Sequence, residues 1–155
     1  MSLDVWLSIE PPTAESIVKK HMKWIETLEE RHSDSLDFHQ IHVGILKDML
    51  NEAIAAPSKA EILWEYNITH NLNRMATEAE IYEALWRPSE INVQTARDLI
   101  DPLTKGLFVL RADPDRFKAL NPANGWGSYD NLVKFVVEYL KACIEHPDAS
   151  VNVCR

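Results

Sequence analysis

The spacing of hydrophobic and polar residues changes repeatedly along this chain, and each change marks an element. Leu3, Val5, Leu7 and Ile9 alternate with Asp4, Trp6, Ser8 and Glu10, a period of two that predicts a half-buried strand. Pro11 and Pro12 end it, since proline cannot donate to a ladder. From Thr13, a predicted cap, Ile17, Val18, His21, Met22, Ile25 and Leu28 recur at helical spacing to about Arg31. A polar break over 31–35 precedes a second predicted helix over 36–56, with Phe38, Ile41, His42, Ile45, Leu46, Met49, Leu50 and Ala53 inward. Pro57 stops it, so 13–56 reads as an αα-hairpin.

Residues 60–68 carry Ile62, Leu63, Trp64, Tyr66 and Ile68 and read as a strand, although 58–61 would equally start a helical turn. Leu72, Met75, Ala76 and Ala79 predict a helix from Asn71. It either continues or restarts after Glu80, through Tyr82, Leu85 and Trp86, and ends at Arg87-Pro88. Ala96, Leu99, Ile100, Leu103, Leu107 and Leu110 form a helical stripe over 95–112, in which Pro102 predicts a kink or break near Ile100. Asp113-Pro114 opens a short helix to Leu120. Residues 121–127 form a turn-rich loop, Ser128 caps a last helix to about His146, and Val151 and Val153 alternate in a final strand. Short strands at both ends need partners. The expected fold is therefore α+β and predominantly helical. A two- or three-stranded sheet joins the N- and C-terminal strands under a cover of helices, and the 13–56 hairpin is inserted into a single domain over 1–155.

Charge narrows the function. With 24 acidic against 16 basic residues the net charge is −8, and no Lys/Arg cluster marks a nucleic-acid footprint. Cys143 and Cys154 lack zinc-finger or CxxC spacing and read as reduced thiols. The N-terminus has no secretory pattern, and no apolar run approaches the roughly 20 residues of a membrane helix. A cytoplasmic protein without a cofactor is expected.

The densest polar cluster is the strand-to-helix junction around His70, a residue type suited to acid–base work. Asn67, Thr69 and Asn71 either orient His70 and a ligand or simply cap the turn. Asn124, Trp126 and Tyr129 belong to the glycine-rich loop and its helix. There Trp126 either stacks on a planar ligand or plugs the core. His39 and His42, with His32 nearby, lack the further ligands a metal site needs, so no metal is expected. Arg87 either holds an anion or pairs with a carboxylate. No nucleophile elbow, HExxH or Walker pattern is present.

Two stretches resemble known motifs. Asn67-Ile68-Thr69-His70-Asn71 followed by Met75 is similar to N-[YI]-T-H-N…M, and residues 121–129 are similar to NP-x-NGWG-x-Y. With the first strand and the terminal strand ending in Arg155, they resemble a family of small uncharacterised phage, prophage and bacterial proteins. The resemblance covers the first strand and 60–155. It implies a phage or bacterial origin and that the two motifs belong together, and it implies no activity. The chain departs from the family in the 13–56 hairpin and in Glu80, which stands where glycine is usual and makes a helix end there less expected.

Two functions follow. The first is a non-enzymatic accessory or binding protein with a small-molecule pocket around His70 and the NGWG loop, and with homodimerisation through the 13–56 helices. The second is a small hydrolase- or transferase-like enzyme with His70 as general base and Asn71, Asn124 and Tyr129 positioning substrate. Both place the histidine turn beside the indole loop.

Overall fold

The first strand, β1 (Ser2–Ile9), is the centre of the sheet. It pairs antiparallel on one side with β2 (Glu61–Thr69) and on the other with β3 (Ser150–Cys154), in the order β2-β1-β3. A computed structural model describes residues 2–11, 13–32, 44–51 and 60–155. The chain divides into two compact units, Met1–Ile9 with Glu61–Arg155, and Glu10–Ala60.

In the first unit the period-two pattern becomes two faces. Leu3 pairs with Ile68, Val5 with Tyr66 and Val153, and Leu7 with Trp64 and Val151, giving one continuous apolar face. Leu3, Val5 and Leu7 are fully buried, which stabilises the fold by roughly 1.5–3 kcal/mol per side chain. The opposite face carries Asp4 beside Asn67 and Cys154, and Trp6 beside Glu65 and Asn152. A register shift between Leu7 and Ser8 leaves Leu63 without an opposite residue.

Helices cover the apolar face. Residues His70–Leu72 make a 3₁₀ turn, followed by α3 (Asn73–Glu78) and α4 (Tyr82–Trp86). A second 3₁₀ turn (Pro88–Ile91) leads to α5 (Ala96–Ala112), α6 (Pro114–Lys118) and α7 (Tyr129–Glu145). Phe135 and Tyr139 of α7 meet Trp64 and Tyr66 of β2. Trp64 stacks on Tyr139 at 4.8 Å and 8°, and Tyr66 tilts onto Phe135 at 5.1 Å. Such ring pairs contribute about 0.5–1.5 kcal/mol beyond their buried area.

The Asp113 and Ser128 caps fall where the sequence predicts them. At α5 a cap the sequence reading did not name is added, the Asp98 carboxylate accepting from Thr95 N at 2.9 Å. The Asp113 carboxylate accepts from Arg116 N at 3.2 Å, and the Ser128 hydroxyl accepts from Asn131 N at 3.2 Å.

Two readings left open by the sequence are resolved. α5 runs unbroken through Pro102, with no break at Ile100. Only the Asp98 carbonyl loses its partner, and Asp98 lies on the exposed side where water replaces it. Second, α3 and α4 do not merge. Glu80 adopts φ +59, Glu80 N bonds to the Thr77 carbonyl and Ile81 N to the Ala76 carbonyl, a Schellman end built on glutamate. Gly106, which the sequence reading did not single out, has a tertiary reason. A β-carbon there would lie 1.8 Å from Ile81 Cγ2, so α5 meets the α3–α4 link only through glycine.

In the second unit, α1 (Ala14–His32) starts at Thr13, whose hydroxyl accepts from Ser16 N at 3.1 Å. Residues 44–51 are helical and form α2. Ile17 and His21 are buried, but Val18 and Met22, expected inward, are 37% and 48% exposed. Ile45 is also exposed. The predicted turn at 31–35 and both ends of the second predicted helix lie outside the described side chains, as do His32, His39 and His42.

Candidate functional site

Thr69 ends β2 in extended geometry, and its hydroxyl accepts from Asn71 N at 3.3 Å, which opens the 3₁₀ turn. Two further bonds tie this turn to β1. Asn67 Nδ2 donates to the Asp4 carboxylate, and His70 Nε2 lies 2.9 Å from the Ser2 carbonyl. A carbonyl only accepts, so Nε2 carries a proton in this bond. The half-buried imidazole lies 6.2 Å from the Trp86 ring. Trp86 stacks on Tyr82 at 5.5 Å, and its buried Nε1 finds no hydrogen-bond partner among the described residues.

The second motif builds a tight loop. Asn124 Oδ1 accepts from Trp126 N at 3.0 Å, and Asn121 Oδ1 accepts from Tyr129 N at 2.7 Å. Both are Asn side chains closing a turn on nearby backbone. Tyr129 is buried, and its hydroxyl donates to the Leu110 carbonyl at 3.0 Å, locking α7 to the end of α5. Trp126 is 71% exposed and does not plug the core.

The two motifs meet at Gly127. Its φ is +99°, and a β-carbon there would lie 2.7 Å from Thr69 Cγ2 and 3.0 Å from Leu72 Cγ. Beside this contact lies a groove of about 220 Å³ lined by Tyr66, Asn67, Ile68, Thr69, Leu72, Gly127 and Asn131. Asn131 Oδ1 accepts the Ser128 hydroxyl at 2.6 Å, which leaves its Nδ2 as a donor at the groove.

Of the residues predicted from sequence, Asn67 and Thr69 line the groove. His70 and Asn71 belong to the turn behind it, Asn124 shapes the loop, and Tyr129 anchors the helix. Tyr66 and Asn131 are groove residues that sequence reasoning missed. The signal for Asn131 was its place three residues after the Ser128 cap, on the first turn of α7. A second, larger depression of about 530 Å³ involves Asp4, Trp6, Ile62 and Glu65 and shares Tyr66 and Asn67 with the groove.

Elsewhere the chemistry is quiet. Arg87 pairs with Glu90 at 2.7 Å, and its pKa is raised first by Tyr82 and then by Glu90. Burial pushes the Cys143 thiol up to about 12 and raises the Tyr139 phenol, so neither supplies a nucleophile near neutrality. Cys154 is exposed, and both thiols are unbridged. Among the described residues no His, Cys, Asp and Glu cluster has metal-binding geometry, and no helix is long and apolar enough to cross a membrane.

Residues 13–59 match the model of a family of unknown function (DUF6900). The match falls on the segment between β1 and β2, where sequence reasoning expects the inserted hairpin. No curated protein and no solved structure matches the chain.

Proposed function

We propose that the unit containing the sheet is a non-catalytic binding module, cytoplasmic and of phage or bacterial origin, whose ligand lies in the groove beside Gly127. The observation that carries this reading is the contact itself. Thr69, Leu72 and Gly127 meet only because residue 127 lacks a side chain, and beside that contact lies a polar concavity rather than filled core. The exposed Trp126 indole, next in sequence to Gly127, is a large apolar surface suited to a planar group. A general-base role for His70 is disfavoured, because its Nε2 is committed to the Ser2 carbonyl and its ring does not line the groove.

Ligand-observed NMR with a panel of planar amide- and hydroxyl-bearing fragments tests this. Fragments that bind the wild type are expected to be lost in Asn131→Leu and Trp126→Ala and retained in His70→Gln. Retention of every fragment in Asn131→Leu rejects the groove. Loss in His70→Gln alone, with turnover of an ester or amide fragment by the wild type, favours the hydrolytic reading.

A second reading concerns 13–59. Val18 and Met22, four residues apart on α1, are exposed apolar positions, and they favour pairing of this segment with a second copy. Deleting 13–56 and measuring mass by light scattering tests it. An unchanged oligomeric state in a folded product rejects dimerisation through these helices.

A further inference from the structure

The sheet has two edges, and they are treated differently. Beyond β3, residues 94–97 run alongside. Val151 N bonds to the Gln94 carbonyl at 3.4 Å, Thr95 bridges Ser150, and Ala96 N bonds to the Ala149 carbonyl at 2.9 Å. That edge is covered, as native sheets usually arrange. Beyond β2 nothing comparable lies among the described residues. Over 61–68 the backbone pairs with β1 alone, which leaves alternate N–H and C=O groups directed outward along most of the longest strand.

Side chains along β2 say what kind of strand fits there. On the face opposite the helices, Glu65 and Ile62 are exposed and Asp4 lies on the neighbouring strand, whereas Glu61, beyond the register shift, pairs with Ile9 and falls on the other face. Ile62 is 53% exposed near one end. The two depressions, sharing Tyr66 and Asn67, lie along β2 from Ile62 to Thr69. The smaller of the two, the groove, reaches Gly127 and Asn131. A second copy of this chain is a poor occupant, since each copy carries a charge of −8 and would bring the same two glutamates to the seam.

We propose that the outer edge of β2 is a strand-addition site for an extended basic peptide segment of a partner protein. Main-chain hydrogen bonds to the outward-directed N–H and C=O groups of 61–68 hold the peptide. Lysine or arginine faces Glu65 and Asp4. The intervening apolar side chains lie on the side of Trp64 and Tyr66. This goes beyond the small-ligand reading and shares only Tyr66, Asn67 and Ile68 with it, so the two fail separately. Asn131→Leu removes fragment binding without altering the acidic edge.

The test uses the full chain and four capped eight-residue peptides in calorimetry at low salt. They are alternating lysine–valine, the same peptide N-methylated at every second residue, alternating glutamate–valine, and a lysine–alanine helix former of equal charge. The lysine–valine peptide is expected to bind, and N-methylation to weaken it at least about tenfold, because each lost backbone bond contributes about 0.5–1.5 kcal/mol. Glu65→Lys is expected to weaken binding at least about fivefold, with Glu65→Gln intermediate; both substitutions are at an exposed position. Circular dichroism confirms that each variant is folded. Equal binding of the N-methylated or helix-forming peptide, equal binding of glutamate–valine, or no binding of lysine–valine at millimolar concentration overturns the proposal.

Discussion

The segment between Thr69 and Ile81 is held at both ends by a residue without a side chain, and the two ends behave differently. At the Ile81 end, Gly106 of α5 is itself buried, and a β-carbon there would strike the fully buried Ile81 side chain; a depression of about 180 Å³ lined in part by Ala79, Glu80 and Asp101 opens beside it. At the Thr69 end, Gly127 is half-buried and touches Thr69 and Leu72 beside the groove of about 220 Å³. One missing β-carbon closes a buried contact, whereas the other makes its contact at the surface. A depression lies beside both, so neither sequence composition nor the presence of a concavity separates the two.

Substitutions sharpen the contrast. Gly106→Ala forces its new carbon into Ile81, an overpacking cost of about 1–3 kcal/mol that the better helix propensity of alanine, about 1 kcal/mol, only partly offsets. A net loss of up to about 2 kcal/mol is expected in urea unfolding. The double variant with Ile81→Ala should lose clearly less than the sum of the two single changes. Additivity would show that the two residues do not touch.

Gly127→Ala meets flexible side-chain ends, so its cost comes mainly from a positive φ and amounts to about 1 kcal/mol. Its distinctive signature is lost fragment binding in a folded protein. If stability falls more than for Gly106→Ala, the surface contact is the more tightly packed one and the contrast reverses.

Glu80→Gly relieves the left-handed residue at the buried end and should stabilise by about 0.5–1 kcal/mol, read as a higher Tm. The smallest effect is electrostatic. The Arg116 hydrogen bond holds the Glu78 carboxyl below its ordinary value, and the nearby Arg116 and Arg74 charges add to this. A depressed carboxylate contributes stability above its unfolded pKa that is lost as pH falls through the folded one. Glu78→Gln should therefore flatten the acid limb of the Tm profile below about pH 4.5. An unchanged limb would mean the Arg116 pair is solvated away.

Where spacing carries the signal, the fold was legible. β1, α5 and α7 follow from alternation or helical stripes, because each buries one face of its own, and β3 follows from the alternation of Val151 and Val153, which are half-buried. Glu80 left the helix end undecided, since only glycine announces a positive φ in sequence, and here hydrogen bonds to Thr77 and Ala76 hold a glutamate in that geometry. Pro102 does not break α5, as an exposed carbonyl tolerates the lost bond. The importance of Gly106 was invisible, because its reason lies 25 residues upstream in Ile81. The meeting of Thr69 with Gly127 followed from the paired motifs. The direction of the His70 ring did not, because the β1–β2 register decides which carbonyl it reaches.

The central position of β1 has a consequence for how this protein is made. Its two neighbours lie about sixty and about one hundred and fifty positions downstream, so the first strand synthesised is the last to be fully flanked. Until Ser150–Cys154 emerges, Leu3, Val5 and Leu7 have at most one neighbouring strand, and folding is weighted toward late, long-range closure. The same arithmetic explains why residues 10–60 are tolerated between two adjacent strands. Loop-closure entropy grows only with the logarithm of length, so a whole helical segment there adds roughly 1–3 kcal/mol over a short turn.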